Sequence, residues 1–195
     1  MSSLGSALGS LGRHKEAITK HKEAVRLAEL SIDATPEAVF EVRTNLASAL
    51  SKAGEIAVAA EEQERLVSLC PQIEPQPGQK TLNVHLNLGV TLSRLSRYDK
   101  AQTHLEHVLR LCADAPLNDS ILLRVRNSLA HVYAQQGQLE RAEVEYRDLV
   151  KVQMDLHPID ETQPNIAAHP DVLLMQNNFG SVLQRRGRYA EAIET

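Results

Sequence analysis

Small and apolar residues recur along this chain in one fixed register. Each unit has an apolar residue followed by Gly or Ala, an apolar or aromatic residue three positions after that step, Gly or Ser at seven, and Ala at twelve. Successive units are 42, 42, 41 and 50 residues apart, with the Gly or Ala steps at Gly5, Ala47, Gly89, Ala130 and Gly180. An internal period of this size is typical of stacked repeats, so the pattern predicts a helical solenoid.

Each unit divides into two helices at its Gly or Ser. In the third unit, apolar residues at spacings of three and four precede Ser96, and a second such series follows it. A tight turn between helices favours a residue that tolerates positive φ, and the Ala at position twelve allows close helix contact. Thr35 and Pro36 have the chemistry of a helix start. The pattern predicts five antiparallel helix pairs, at about 1–33, 36–70, 78–113, 118–156 and 169–195.

The first and last pairs are truncated in this register, and neither end has the polar cap that an array needs. We therefore expect one array that belongs to a larger protein. Two connectors interrupt the period. They are Cys70 to Gly78, which contains three prolines, and the longer stretch from His157 to Pro170.

Composition narrows the class of protein. Aromatic residues make up only 3% of the 195 residues and Trp is absent, so aliphatic side chains must fill the core. No apolar stretch is long enough to span a bilayer and no secretion signal is present, which predicts a cytoplasmic protein without a membrane partner. Cys70 and Cys112 fall just after the second helices of their units, too far apart for a disulfide, and are expected to be half-buried thiols.

The repeated residues also carry a family resemblance. The Leu-Gly step, the Gly turn, the residue two positions later (Tyr98, Leu139, Tyr189) and the Ala resemble the tetratricopeptide repeat. The 42-residue period is similar to the kinesin light chain subtype and to repeats appended to nucleotide-binding signalling proteins. This resemblance implies an all-α, right-handed superhelical solenoid whose first helices line a concave groove. No single partner follows from it, because this repeat serves many recognition tasks.

The expected groove positions are polar and basic. Counted by register, they carry a formal charge of +3 in a chain of net charge −4, an arrangement that favours an acidic or carboxylate-bearing partner. Carboxamides at one repeated place can pair with the backbone of an extended peptide, and the resemblance implies that role for Asn45, Asn87 and Asn178. The candidate peptide-binding residues are Asn45, Asn87, Asn178, Lys52, Arg94, Arg124, Asn127, His131, Asn177 and Arg185.

Other chemistry has weak support. His104 and His107 lie three apart on a helix, but no third ligand accompanies them, so they are interpreted as surface histidines. The sequence from Gly78 to Thr81 ends like a phosphate-binding loop, yet lacks the upstream Gly and a preceding strand. No catalytic set, metal site or cofactor is predicted, and the acidic net charge argues against a nucleic-acid partner.

The sequence therefore predicts a protein–protein interaction scaffold, not an enzyme, that binds an extended acidic peptide in its groove. The alternative is an oligomerisation arm, or an intramolecular regulatory arm whose groove is filled by another domain of the parent chain. Both use the same surface, and the sequence does not separate them. The polar groove positions are also compatible with plain solvation or with bonds to neighbouring helices.

Overall fold

The computed structural model describes residues 2–114, 119–156 and 170–194, and 83% of these residues are helical. None of the described residues lies in a strand, which confirms the all-α class. The helices are α1 (Ser2–Ser10), α2 (His14–Leu30), α3 (Pro36–Lys52), α4 (Ile56–Ile73), α5 (Gln79–Arg94), α6 (Tyr98–Leu111), α7 (Ser120–Gln135), α8 (Leu139–Leu156), α9 (Pro170–Arg185) and α10 (Tyr189–Glu194).

The chain forms two compact structural units, each larger than the repeated unit of the sequence: Met1–His104 and Leu105–Thr195. In the first unit, α1 packs on α2, α2 on α3, α3 on α4 and α4 on α5, and α1 also touches α3. In the second unit, α7 packs on α8, α8 on α9 and α9 on α10, with α7 also touching α9. Each unit therefore has the stacking of helix pairs that the repeat predicts, and a single array of five pairs stays a prediction.

The turn inside each pair has the positive φ that its Gly or Ser was predicted to adopt. Backbone φ is positive at Gly12, Gly54, Gly137 and Gly187, and Ser96 takes the same conformation with φ of 58°. In all five turns the residue after this position donates its N–H to the carbonyl five residues earlier, as Arg97 does to Leu92 over 2.9 Å. This bond closes the helix end in the manner of a Schellman motif, which requires the left-handed conformation.

The Ala at position twelve lies where two helices meet. Ala59, Ala101 and Ala142 have no exposed surface and Ala17 has almost none, whereas Ala192 in the last pair is half-buried. Leucines fill the space around these contacts, with Leu86, Leu88 and Leu92 fully buried on α5. Small residues therefore permit the close approach that the aliphatic core requires.

Helix starts follow the capping rules. The Thr35 hydroxyl accepts a hydrogen bond from the Ala38 N–H at 3.2 Å, and Pro36 is the first residue of α3. Asp119 caps α7 by accepting from the N–H groups of Ile121 and Leu122. The start of α3 is thus confirmed.

The connector expected from Cys70 to Gly78 is shorter than the sequence indicated. Helix α4 continues through Pro71 to Ile73, so Cys70 lies inside the helix and not after it. Pro71 removes one N–H donor and its ring crowds the preceding turn, yet the Glu74 N–H closes the last turn on the Cys70 carbonyl at 2.8 Å. Cys70 and Cys112 are buried, not half-buried, and both are free thiols. The connector expected from His157 to Pro170 lies outside the described residues, except for Pro170 at the start of α9.

Candidate polar strip on the first helices

One face of each first helix remains in solvent. Its residues lie six and two positions before the Gly or Ala step and one and five positions after it, which is one stripe of a helix. We call these residues the first-helix strip. In the first unit it comprises Glu41, Asn45, Ser48 and Lys52 on α3 and Asn83, Asn87, Val90 and Arg94 on α5; in the second, Arg124, Ser128, His131 and Gln135 on α7 and Leu174, Asn178, Ser181 and Arg185 on α9.

The strip holds most of the sequence-predicted site residues in exposed or half-buried positions. Asn87 is exposed, and Asn45 and Asn178 are half-buried at the equivalent place two residues before the step. Asn45 already takes part in an interaction within the protein. In α7 this place is Ser128, whose hydroxyl donates to the Arg124 carbonyl at 2.8 Å. Three of the four helices therefore present a carboxamide at the same place.

The cations of the strip are exposed. Lys52, Arg94 and Arg185 occupy the place five residues after the step, and Arg124 lies six residues before its own step. None of these four makes an ion pair with a residue that the structure describes. An exposed cation without an internal partner keeps its charge available to a ligand.

Two other arginines show that this availability depends on position. Arg43 and Arg126 lie four residues before the step, and their side chains are only 11% and 14% exposed. Arg43 binds Glu62, and Arg126 binds Glu145 at 2.7 Å and Asp148 at 3.0 Å. These arginines join the first helix of a pair to the second and have a structural role.

Two predicted site residues, Asn127 and Asn177, lie one position before a strip residue, and they differ in exposure. Asn127 is half-buried, and its side-chain oxygen is buried with no hydrogen-bond partner among the described residues. Asn177 is exposed and lines a hollow of about 330 Å³ on α9 with Ser181 and Gln184. Both residues stand three positions before their steps, so the same register is covered at Asn127 on α7 and open at Asn177 on α9.

His131 lies on the strip between Arg124 and Gln135. Partial burial of its ring lowers the pKa below the usual 6.5, so the ring is neutral at pH 7. His131 therefore contributes a hydrogen-bonding group to the strip and no charge at that pH.

Sequence reasoning missed the cross-helix pairs. Arg43 and Glu62 are 19 residues apart, as are Arg126 and Glu145, and both pairs occupy the same register in their repeats. In the third repeat this register holds His85 and His104, whose Nδ1 atoms lie 3.0 Å apart. The rings are tilted by 45° with centroids 5.1 Å apart. Aligning the repeats by their steps, instead of searching within one helix, would have found all three pairs.

A fourth cluster in the second unit joins three arginines to one carboxylate. Glu143 is buried and binds Arg147, Arg186 and Arg188, the last at 2.6 Å. Burial alone would raise the pKa of Glu143, but the hydrogen bonds from Arg188 and Arg186 outweigh it and the pKa is lowered. The cluster links α8 to the turn after α9.

The segment that resembles the end of a phosphate loop already holds an anion of its own. The Glu74 carboxylate accepts hydrogen bonds from the N–H groups of Gly78, Lys80 and Thr81 and from the Thr81 hydroxyl at 2.8 Å. These bonds lower the pKa of Glu74 although its burial acts in the opposite direction. The side chain caps α5, and its carboxylate already occupies the donors that a phosphate would need.

Within the described residues, no group of three or more His, Cys, Asp or Glu side chains converges as a metal site. No described helix has the length and apolar composition needed to cross a membrane.

The fold and the strip together define a helical repeat protein. Residues 80–154 match the family model of the tetratricopeptide repeat. The chain has the fold of kinesin light chain-like tetratricopeptide repeats, as the residue pattern predicted.

Solved structures support this class at low sequence identity. BtubC (BKLC) from P. vanneervenii is 18% identical with a TM-score of 0.79, over 98% of this chain and 73% of that one. A putative kinesin light chain from Podosopora anserina with nearly identical TPR-like repeats is 20% identical with a TM-score of 0.78, over 99% of this chain and 88% of that one. The Rap conjugation gene regulator of plasmid pLS20, in complex with the Phr* peptide, is 16% identical with a TM-score of 0.67, over 97% of this chain and 48% of that one. No curated protein sequence matches the chain.

Proposed function

We propose that this protein is a non-catalytic interaction scaffold of the cytoplasm in which the part of the first-helix strip on each unit binds an extended, acidic segment of a protein partner. The observation that carries the proposal is a set of four exposed cations that form no ion pair with any described residue: Lys52, Arg94, Arg124 and Arg185. Against them the strip has one acid, Glu41. Such a surface attracts carboxylates and repels basic chains.

The carboxamides supply the second part of the recognition. Asn87 and Asn178 each lie seven residues, or two helical turns, before a cation on the same helix. A carboxamide can donate to a peptide carbonyl and accept from a peptide N–H, so it holds an extended backbone whatever its side chains are. The cation then reads an acidic side chain of that segment. The peptide bound to the Rap regulator, a protein of similar fold, supports this mode of binding.

The remaining candidates are expected to contribute unequally to ligand binding; they are Asn127, Asn177 and His131. Asn177 and His131 are exposed on the helices that carry Arg185 and Arg124, so each can add a hydrogen bond to the ligand. Asn127 can offer only its NH₂ group, because its oxygen is buried. We therefore expect the loss of Asn127 to weaken binding less than the loss of Asn177.

A peptide panel tests the preference for acidic segments. Fluorescein-labelled twelve-residue peptides with Glu at every third position are titrated and followed by anisotropy, and Lys peptides of the same spacing serve as the matched control. The proposal expects saturable binding of the Glu peptides alone, weakening as salt rises because exposed charges are screened over about 8–10 Å. Equal binding of both sets, or none of the Glu set at low salt, contradicts it.

Light scattering tests the alternative of an oligomerisation arm, because it gives the mass of the free protein in solution. A dimer that dissociates on strip reversal (Lys52→Glu with Arg94→Glu) shows that a second copy fills the strip, and the acidic-peptide proposal is then wrong.

A further inference from the structure

The third repeat differs from its neighbours at the contact between its two helices. The place that holds Arg and Glu in the second and fourth repeats holds His85 on α5 and His104 on α6. Both histidines belong to the first unit and both are half-buried, so solvent reaches the pair. The geometry points to a transition-metal site: we propose that His85 and His104 together bind a divalent ion of the Cu²⁺ or Ni²⁺ kind through their Nδ1 atoms.

The distance between the two nitrogens is the first argument. Imidazole nitrogens bind such ions at about 2.0–2.1 Å. With the Nδ1 atoms 3.0 Å apart, an ion at that distance from both subtends an N–metal–N angle of about 91–97°. This is the angle between neighbouring ligands of a square-planar or octahedral ion, so the pair favours Cu²⁺ or Ni²⁺ over tetrahedral Zn²⁺. Because the two Nδ1 atoms face each other in the hydrogen bond, both rings have to turn until their lone pairs converge on the ion.

The second argument is the chemistry of the pair without metal. One Nδ1 must carry a proton and donate to the other, since two lone pairs at 3.0 Å repel. Binding of an ion replaces that single shared proton by two metal–nitrogen bonds. The ring that held its proton on Nδ1 passes to the other tautomer, so both Nε2 atoms carry a proton and both rings stay neutral.

The supporting helices are the third argument. His85 lies between the fully buried Leu86 and the buried Val84 on α5, and His104 precedes the fully buried Leu105 on α6. Buried neighbours fix the backbone on both sides, and a pre-positioned ligand pair loses little conformational freedom on binding. The described residues supply no third side chain, so water or a group from a partner completes the coordination.

Copper titration with matched variants tests the site. The full chain is titrated with Cu²⁺ and followed by calorimetry and by electron paramagnetic resonance, which counts the bound nitrogens. The key variant carries His85→Arg with His104→Glu, the pair that the second and fourth repeats use at this register, so the fold keeps a helix-to-helix contact. His131→Ala removes an exposed histidine of α7 and serves as the control.

The proposal expects one ion per chain with two nitrogen ligands, unchanged in His131→Ala. The double variant should lose affinity by at least about 100-fold, since removing even an outer-shell partner costs 10–100-fold, while its circular dichroism stays the same. If the double variant does not fold, His104→Gln gives the same test with one ligand removed. Retention of the two-nitrogen signal in the folded double variant or in His104→Gln, or a one-nitrogen signal in the native chain, overturns the proposal.

Discussion

Arginines occur in two settings on the first helices, and the comparison separates structure from function. Arg43 and Arg126 lie four residues before the step, are mostly buried and bind glutamates of the next helix. Arg94, Arg124 and Arg185 lie on the exposed strip and have no ion-pair partner among the described residues. On α7 a shift of two positions, from Arg126 to Arg124, thus separates a helix-to-helix clamp from a surface charge. Residue type alone does not show which role applies.

The largest effect is expected where the clamp is broken. Arg43→Ala leaves Glu62, whose side chain is only 8% exposed, with Arg65 as its remaining partner. A buried charge that loses a partner is destabilising, and we expect a loss of about 2–4 kcal/mol in the free energy of unfolding. Urea denaturation measures it. Lys52→Ala, on the strip of the same helix, is the matched control and should stay within about 0.5 kcal/mol; equal losses would remove the distinction between the two settings.

The Ala at position twelve of each repeat offers a second comparison, between the fully buried Ala101 and the half-buried Ala192. Ala101→Leu places three extra carbons in a contact with no free surface, and we expect about 1–3 kcal/mol of destabilisation from overpacking. Ala192→Leu makes the same change at a half-buried place and should cost much less. Denaturant midpoints of both variants decide; an unchanged midpoint for Ala101→Leu means that the register is wrong.

The arginine cluster around Glu143 predicts that the stability of the folded protein depends on pH in the acidic range. The pKa of Glu143 is lower in the folded protein than its usual 4.5. Its stabilising contribution is therefore complete above about pH 4.5 and is lost as the pH falls through the folded value. Thermal midpoints between pH 3 and 6 should fall on acidification, and less steeply for Glu143→Gln than for the native chain. Parallel profiles of the two proteins would contradict the assignment of this dependence to Glu143.

The smallest effect concerns the one turn without glycine. Ser96 has φ of 58°, a conformation that favours Gly. Ser96→Gly should relieve a left-handed backbone penalty of about 1–2 kcal/mol. The gain is offset in part by the entropy that Gly loses on folding and by the loss of the Ser96–Tyr98 hydrogen bond at 3.3 Å. The reciprocal variant Gly54→Ser should destabilise by a similar amount in the same urea assay. A destabilising Ser96→Gly would show that the hydrogen bond outweighs the backbone preference.

These predictions also show what the sequence reveals and what it conceals. The steps, turns and small Ala residues predicted the helices because each acts locally, within one repeat. The extension of α4 past Cys70 was missed, since Pro71 suggested an end and only the bond from Glu74 shows that the helix continues. The cross-helix pairs were missed because their members lie 19 residues apart, and the buried Asn127 oxygen depends on packing that no local pattern specifies.

Binding by the strip is the central claim, and charge reversal tests it most directly. The Glu peptide is titrated against Arg94→Glu with Arg124→Glu, and against Lys100→Glu with Arg110→Glu, two exposed cations of α6 outside the strip. We expect the strip variant to lose detectable binding while its helicity and urea midpoint stay unchanged, and the control pair to keep most of the native affinity. Full affinity in the folded strip variant, or an equal loss in the control pair, would show that the acidic segment does not bind at the strip.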